Sequence, residues 1–293
     1  MKYNFLVLFS IFYSLNIDAQ DLSSTMTVAP GTSVSIKGGT TLSAAELNLK
    51  STSDSFSSVM LDGTITPSTV VNYDRYVNVV GTTGGNGGND LISLPVKTAS
   101  VTFGDFLNYS ADYGSTVNSA SIPTNGSVYA FGPYNNANQS YTNYASATPG
   151  NGDVLERAVG YRAASNLGET LRFTGTISKD TETVTITTTN PIIAPETDGN
   201  PKNWNSVGNP YPTYLNSSLF LEENEDQLAV DATGIYGYNS GTQSGTGTIG
   251  NFTIINRLVN TGLNITPGQG FLLANELETF LGNMWSPASS VKY

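Results

Sequence analysis

The sequence predicts an all-β protein in which short β-solenoid-like rungs are followed by a β-sandwich or jelly-roll domain. Three observations support this prediction. Apolar residues recur in short pairs with a spacing of two, as a half-buried strand requires. Clusters of Gly, Pro, Ser, Thr and Asp separate these pairs at near-regular intervals. Helical periodicity is confined to short stretches at 215–223 and 276–281.

Residues 1–19 are predicted to form a secretory signal peptide. Lys2 supplies a positive charge, and an apolar run follows from Phe5 to Leu15. This run is too short to span a bilayer, which needs about 20 apolar residues. A buried strand or a membrane anchor is the alternative, but no stop-transfer pattern follows. We therefore expect an extracellular or outer-surface protein that has no transmembrane segment once the signal is removed.

Residues 20–72 are predicted to form the solenoid-like rungs. Pairs such as Leu47 with Leu49 and Val59 with Leu61 have the period-two spacing of a strand. Short strands at near-regular intervals are typical of a small β-solenoid, in which rungs stack on one another. An ordinary antiparallel meander is the alternative for the same pattern.

Residues 73–275 are predicted to form the β-sandwich domain, and residues 276–293 a C-terminal tail. The Tyr- and Asn-rich region 103–160 is expected to be rich in loops. Trp204 and Val207 are expected to enter the core, on a strand that ends at a Gly-Asn-Pro-Tyr-Pro turn. The clearer strands of this domain are expected at 159–163, 171–177, 183–189, 235–238, 252–255 and 270–274.

The composition excludes several classes of function. The chain has no Cys and no His, so a Ser-His-Asp triad, a cysteine nucleophile and a thiolate or imidazole zinc site are all excluded. Its net charge of −11 argues against a nucleic-acid partner, because phosphate binding depends on clustered Lys and Arg. We expect a non-enzymatic protein with no catalytic residues, no metal site and no cofactor. A hydrolase with two carboxylates distant in sequence is the alternative.

Two loops partly resemble known ligand-binding motifs. The Gly-rich segment 84–90 is followed by no helix, as a dinucleotide site would require, and it is a single imperfect copy of a calcium nonapeptide. It is interpreted as a hairpin loop. The acidic segment 222–226 does not have the spacing of an EF-hand loop. It is interpreted as a solvated loop, with weak calcium binding as the alternative.

Tyr134, Tyr141 and Tyr144 are the candidate ligand-binding residues. They lie among Asn and Gln in the segment 129–144. Aromatic faces beside amide groups contact sugar rings or protein partners. The alternative is that these tyrosines pack onto the sheet while their hydroxyls reach water.

A series of motifs occurs in a fixed order along residues 25–275. The motifs are Asp62-Gly63-Thr64, Asn72-Tyr73-Asp74-Arg75-Tyr76, Ile92-Ser93-Leu94-Pro95-Val96, Gly160-Tyr161-Arg162, Phe173-Thr174-Gly175-Thr176, Trp204-Asn205-Ser206-Val207-Gly208-Asn209-Pro210-Tyr211-Pro212 and Ile265-Thr266-Pro267-Gly268-Gln269-Gly270-Phe271. In this order they resemble the secreted surface proteins of Bacteroidetes-type bacteria that carry a sorting domain for the type IX secretion system. The last two motifs are the more specific ones.

The resemblance implies an exported, cell-surface or released β-protein linked to adhesion, matrix or glycan contact, and it implies no catalytic residue. Such proteins usually continue into a sorting domain of Gly-rich and Lys-rich strands, which residues 276–293 do not resemble. The chain is therefore expected to be truncated there or to reach its place by another route.

The sequence thus predicts a structural or adhesive surface protein whose partners are cell-surface or matrix glycans or proteins. A carbohydrate-binding module that contacts polysaccharide through the three surface tyrosines is the alternative. A threonine-lined ice-binding face along 185–189 is a further alternative.

Overall fold

The computed structural model describes residues 24–81, 88–109, 117–146, 152–187, 204–229, 233–239, 251–275 and 288–293. Strands predominate and the helices are short, which confirms the all-β class. The strands are β1 (Thr25–Val28), β2 (Ser33–Ile36), β3 (Thr41–Leu42), β4 (Glu46–Lys50), β5 (Ser58–Leu61), β6 (Thr64–Ile65), β7 (Val70–Val77), β8 (Asp90–Ile92), β9 (Thr124–Asn125), β10 (Val128–Tyr129), β11 (Phe131–Asn135), β12 (Ser140–Tyr141), β13 (Tyr161–Ala163), β14 (Glu169–Gly175), β15 (Thr183–Thr187), β16 (Trp204–Gly208), β17 (Leu215–Asn216), β18 (Ile235–Asn239), β19 (Asn251–Ile255), β20 (Asn264–Ile265), β21 (Gly270–Ala274) and β22 (Ala288–Lys292). The helices are α1 (Phe103–Leu107), α2 (Asn118–Ser121) and α3 (Ser217–Asn224), with a 3₁₀ turn at Glu225–Gln227.

The first seven strands pair in parallel with a regular offset. β1 pairs with β4 and β4 with β7, while β2 pairs with β5 and β3 with β6. Asn48 and Asn72 are 24 residues apart and occupy equivalent positions in neighbouring strands, where Asn72 Nδ2 donates to Asn48 Oδ1 at 2.9 Å. The same register places Leu49 beside Tyr73, so their side chains stack in one buried row. This pairing excludes an antiparallel meander for these strands.

Strand β7 connects the parallel strands to the rest of the chain. One edge pairs in parallel with β4, and the other pairs antiparallel with β14, from Val71 opposite Gly175 to Val77 opposite Glu169. The predicted domain boundary between residues 72 and 73 therefore falls inside a strand that belongs to both sides.

A buried ion cluster crosses the same three strands in one row. Arg172 donates to Asp74 through two nitrogens, with Nε 2.7 Å from Oδ1 and Nη2 2.9 Å from Oδ2. Lys50 Nζ lies 2.5 Å from Asp74 Oδ2. The two-nitrogen geometry matches a carboxylate closely, which is the arrangement that stabilises a buried arginine best.

Among the described residues, the later strands form two four-stranded sheets and three two-stranded sheets, while β14 joins the sheet of β1, β4 and β7. The four-stranded orders are β12-β11-β13-β8 and β16-β21-β18-β19, and the two-stranded pairs are β9-β10, β15-β22 and β17-β20. The strands predicted near 159–163, 171–177, 183–189, 235–238, 252–255 and 270–274 correspond to β13, β14, β15, β18, β19 and β21. The region 103–160, expected to be loop-rich, contains α1, α2 and four strands among its described residues.

Several predicted segments lie wholly or partly outside the described residues. These include the signal peptide at 1–19, residues 84–87 of the Gly-rich loop, residues 188–189 of the strand predicted at 183–189 and the short helix at 276–281. Part of the predicted tail is described, and it forms β22, which pairs antiparallel with β15. Residues 288–292 are therefore a strand of the fold.

The core consists of two main clusters. The larger includes Tyr73, Phe103, Phe131 and Phe173, and it lies between the β4-β7-β14 strands and the β11-β13-β8 strands. The second is built around Phe271 on β21. Stacked and tilted rings fill the first cluster, where the centroids of Phe103 and Phe131 are 5.3 Å apart. This packing fixes the sheets that carry the candidate site.

Candidate functional site

The structure brings Tyr134 and Tyr141 together and places Tyr144 in the core. Tyr134 on β11 lies directly opposite Tyr141 on β12, and their ring centroids are 5.1 Å apart at 68°. Both side chains are partly exposed. Tyr144 is only 7% exposed, and its ring centroid lies 4.9 Å from that of Phe103. Tyr144 is therefore not a surface tyrosine, because core rings occupy the faces that a sugar would contact.

The turn between β11 and β12 holds Tyr134 through polar contacts. The Tyr134 hydroxyl donates to Gln139 Oε1 at 3.0 Å, and Gln139 Nε2 donates to the carbonyl of Asn136 at 2.6 Å. Gln139 has a φ of 53°, a left-handed conformation that costs a non-glycine residue some strain. The side chain of Asn135 accepts the amide of Ala137 at 2.9 Å. The Asn and Gln residues of this segment thus build the turn that presents Tyr134.

Tyr141 is held by a neighbouring cation. The guanidinium carbon of Arg162 lies 4.9 Å from the Tyr141 ring centroid, and Arg162 Nη2 donates to Asn143 Oδ1 at 3.0 Å. Burial raises the pKa of Tyr141, while a hydrogen bond with Ser206 and the charge of Arg162 oppose the shift. The hydroxyl therefore stays protonated at neutral pH.

A second set of aromatic residues lies on the sheet beside these tyrosines. The Trp204 and Tyr236 ring centroids are 4.7 Å apart, and those of Tyr238 and Phe252 are 5.3 Å apart. Tyr238 and Phe252 are directly opposite in register, so they share one face of the sheet. Asn136 Nδ2 connects the two sets by donating to the Trp204 carbonyl at 2.7 Å. We call the partly exposed set the aromatic face, and its members are Tyr134, Tyr141, Trp204, Tyr236, Tyr238 and Phe252.

The aromatic face contains four residues that were not predicted as ligand-binding candidates. Val207 is buried as expected, but Trp204 is partly exposed and packs against Tyr236 at the edge of the core. The signal for Tyr236 and Tyr238 is their spacing of two, which places both on the face opposite the buried Ile235.

A groove of about 680 Å³ lies next to Tyr134. Its walls include Tyr134, Asn136, Thr187 and Asn205. Asn205 exchanges two hydrogen bonds with the backbone of Thr187, at 2.9 and 3.0 Å. Amide and hydroxyl groups beside a tyrosine ring suit a polar ligand with an apolar face, and the volume is in the range of small-ligand sites.

Asp153 is the single carboxylate among the described residues that line this groove. Glycoside hydrolysis uses a pair of carboxyl groups on either side of the scissile bond. The described walls therefore present one member of such a pair. Burial raises the pKa of Tyr144, which also lines the groove, to about 12, and the charges of Asp153 and Glu156 add to this shift.

The acidic segment 222–226 makes ion pairs on the surface. Glu225 Oε2 lies 2.5 Å from Arg257 Nη2, and Glu223 Oε1 lies 3.7 Å from Lys292 Nζ. All four of these side chains are at least 40% exposed, so water screens the pairs strongly. Weak calcium binding by this segment remains a prediction.

Within the described ranges, no group of three or more His, Cys, Asp and Glu side chains is placed to hold a metal ion. In the same part of the chain, no helix is long and apolar enough to cross a bilayer. Comparison of the chain with family models, curated proteins and solved structures gives no match.

Proposed function

We propose that this chain is an exported, non-enzymatic surface protein with an adhesive role. The proposal includes its architecture, in which the parallel strands β1–β7 are rungs of a short β-solenoid and the later sheets form a sandwich. The 24-residue return of Asn48 to Asn72 supports the solenoid. The resemblance to surface proteins of the type IX secretion class supports export.

An exposed apolar surface at one end of the second four-stranded sheet carries the adhesive proposal. Phe252 and Ile254 on β19 are 46% and 40% exposed, and Leu258 in the following turn is 91% exposed. In the described part of the chain, β19 is the outermost strand of its sheet. Clustered apolar side chains on an outer strand are typical of surfaces that contact other molecules.

The test compares attachment of protein-coated beads to cells of the source organism. Replacing Phe252 and Leu258 together by serine should reduce attachment strongly. Leu167→Ser is the matched control, because Leu167 is 83% exposed but lies in the turn before β14. Equal attachment by the wild type and the double variant contradicts the surface assignment. Failure of wild-type beads to attach contradicts the adhesive role itself.

The second candidate is a carbohydrate-binding module, and the aromatic face favours it. Half-buried aromatic rings held in place by amide groups offer rigid apolar surfaces beside hydrogen-bonding groups, which is the chemistry that sugar rings need. Burial raises the pKa of Tyr134 and of Tyr238, so both hydroxyls remain neutral. The Tyr134 hydroxyl already donates to Gln139, and its oxygen can accept from a sugar.

Affinity electrophoresis against soluble polysaccharides, with calcium and with chelator, tests this second candidate. We expect one polysaccharide to retard the protein. Trp204→Ala or the double change Tyr134→Ala with Tyr141→Ala should weaken the affinity by about tenfold, which is 1.4 kcal/mol. Tyr214→Ala is the control, because this tyrosine is 40% exposed outside the aromatic face. Retained affinity in both variants contradicts the assignment of the face.

A further inference from the structure

A second cavity, of about 360 Å³, contains a buried arginine. Its walls come from β7, β8, β18, β19, β20, the turn before β21 and the turn between β4 and β5, and they include Arg75, Asp90, Tyr238 and Gln269. Arg75 and Gln269 belong to two of the sequence motifs that the proposed function leaves without a role. Tyr238 belongs to the aromatic face, so the cavity lies next to that face.

The guanidinium of Arg75 is only partly satisfied by the protein. The residue is 6% exposed, and its guanidinium carbon lies 4.4 Å from the ring centroid of Phe56. Nη1 donates to the Tyr76 carbonyl at 2.8 Å. Nε is buried and has no hydrogen-bond acceptor among the described residues. Nη2 likewise has no acceptor among them. The Nε and Nη2 edge is thus unused.

The other buried arginine of β7 and β14 shows what this edge can bind. Arg172 uses Nε and Nη2 together to hold the carboxylate of Asp74. Arg75 lies next to Asp74 in sequence but points to the opposite side of β7, since successive side chains of a strand alternate. Among the described residues it forms no ion pair with a carboxylate. The wall of the cavity therefore contains an arginine edge that no carboxylate of the described residues occupies.

The remaining polar groups of the cavity are arranged around this edge. Asp90 accepts hydrogen bonds from the Asn78 backbone and side chain, at 2.7 and 2.9 Å, which fixes its carboxylate. Gln269 Oε1 accepts from the amide and hydroxyl of Thr266, at 3.0 and 3.2 Å. This leaves Gln269 Nε2 as a donor beside Gly237, another residue of the wall.

The charges of the cavity favour a monoanion over a dianion. Burial lowers the pKa of Arg75, while the charge of Asp90 opposes that shift, so the two groups are close enough to interact. An arginine stays protonated in a protein, and its burial without a bonded counter-ion is unfavourable. Because Asp90 already offsets part of the positive charge, a ligand with one negative charge suits the site better than a phosphate or sulfate with more.

We infer that this cavity binds the carboxylate of an acidic sugar, with Arg75 Nε and Nη2 holding the carboxylate and Asp90 and Gln269 bonding to hydroxyls. A carboxylate is planar and accepts two parallel hydrogen bonds from this edge. Sugar hydroxyls can donate to Asp90 and accept from Gln269. The volume is within the range of small-ligand sites, and Tyr238 supplies a ring at the wall. The inference rests on the glycan-binding candidate and adds a charge preference to it.

The test measures binding of sodium glucuronate and of glucose to the full chain by calorimetry. The two sugars share the ring, and only glucuronate carries the carboxylate. We expect glucuronate to bind and glucose to bind at least about tenfold more weakly, since only the former uses the arginine edge. Arg75→Lys keeps the charge but removes the two-nitrogen geometry, and it should lose most of the preference. Arg257→Gln, which removes an exposed cation, should not change it.

The outcomes of this test distinguish the acidic-sugar site from the glycan-binding candidate. Equal binding of the two sugars, or unchanged glucuronate binding in a folded Arg75→Lys, overturns the inference. Retardation by a neutral polysaccharide together with no glucuronate binding overturns it but leaves the glycan-binding candidate in place. No binding of any sugar or polysaccharide overturns both. If Arg75→Lys does not fold, Gln269→Leu replaces it; because Gln269 bonds to a hydroxyl, this variant should weaken the binding of glucuronate and glucose alike, and unchanged glucuronate binding overturns the inference. Displacement of glucuronate by equimolar chloride overturns the sugar assignment, because it reveals an adventitious anion site.

Discussion

Replacing Asp74 by asparagine should destabilise this protein strongly. Asp74 is the counter-charge of Arg172, and the two side chains are 3% and 8% exposed. Lys50, whose side chain is 12% exposed, loses the same partner. Removing one member of a buried ion pair costs about 3–5 kcal/mol, because the remaining charge is left buried without compensation. Total stabilities are about 5–15 kcal/mol, so this single change removes a large part of the free energy of unfolding.

Urea unfolding of the full chain, followed by circular dichroism, measures this loss as a lower midpoint at an unchanged slope. The matched control is Asp180→Asn, which breaks the pair with Lys97 at 2.9 Å. Those two side chains are 72% and 48% exposed, so the control should leave stability nearly unchanged. If the two variants unfold at the same urea concentration, the argument from burial is refuted.

Three further predictions concern a turn, a buried amide and a tyrosine. Gly63→Ala should lower the free energy of unfolding by about 1–3 kcal/mol in thermal unfolding, because a Cβ at this position would clash with backbone carbonyl oxygens. Gly38→Ala is the control and should have little effect, because a Cβ there has no atom within 4 Å. Asn209→Ala should cost about 1–3 kcal/mol in urea for each carbonyl left unpaired, since the fully buried Asn209 side chain donates to three backbone carbonyls and accepts from the Tyr211 amide; a loss below 1 kcal/mol argues against this. Burial raises the pKa of Tyr144 from 10.0 to about 12, so its contribution to stability is present below pH 10 and is lost as pH rises toward 12. The phenolate absorbance that the native wild type shows in excess of native Tyr144→Phe should therefore rise near pH 12, and an excess that rises near pH 10 contradicts the shift.

The strands that the sequence predicted well are those with a local apolar signal. The alternation of Leu47 with Leu49 and of Thr183 to Thr187 marks strands whose apolar side chains are placed on one face by spacing alone. The partner of such a strand is not a local property. Nothing in residues 183–189 indicates that β15 pairs with residues 288–292, because the pairing depends on side chains about one hundred residues away in sequence.

The candidate site was predicted in part for the same reason. Tyr134 and Tyr141 are close in sequence, so their cluster was visible, and the structure places them opposite each other. Tyr144 has the same composition around it, yet the alternation of the strand and turn directs it into the core. The cavity at Arg75 joins residues of β7 to Gln269, and only the folded chain brings them together.

The ladder between β7 and β14 also has a consequence for the order of folding. Asp74 and Arg172 are 98 residues apart, whereas Asn72 and Asn48 are 24 apart. Closing the shorter loops costs less entropy, so β4 and β7 should pair early and β14 should arrive later. While the chain folds, the outer edge of β7 would then carry unpaired backbone groups until residues 169–175 pair with it. During that interval the folding chain is exposed to pairing with the wrong strand.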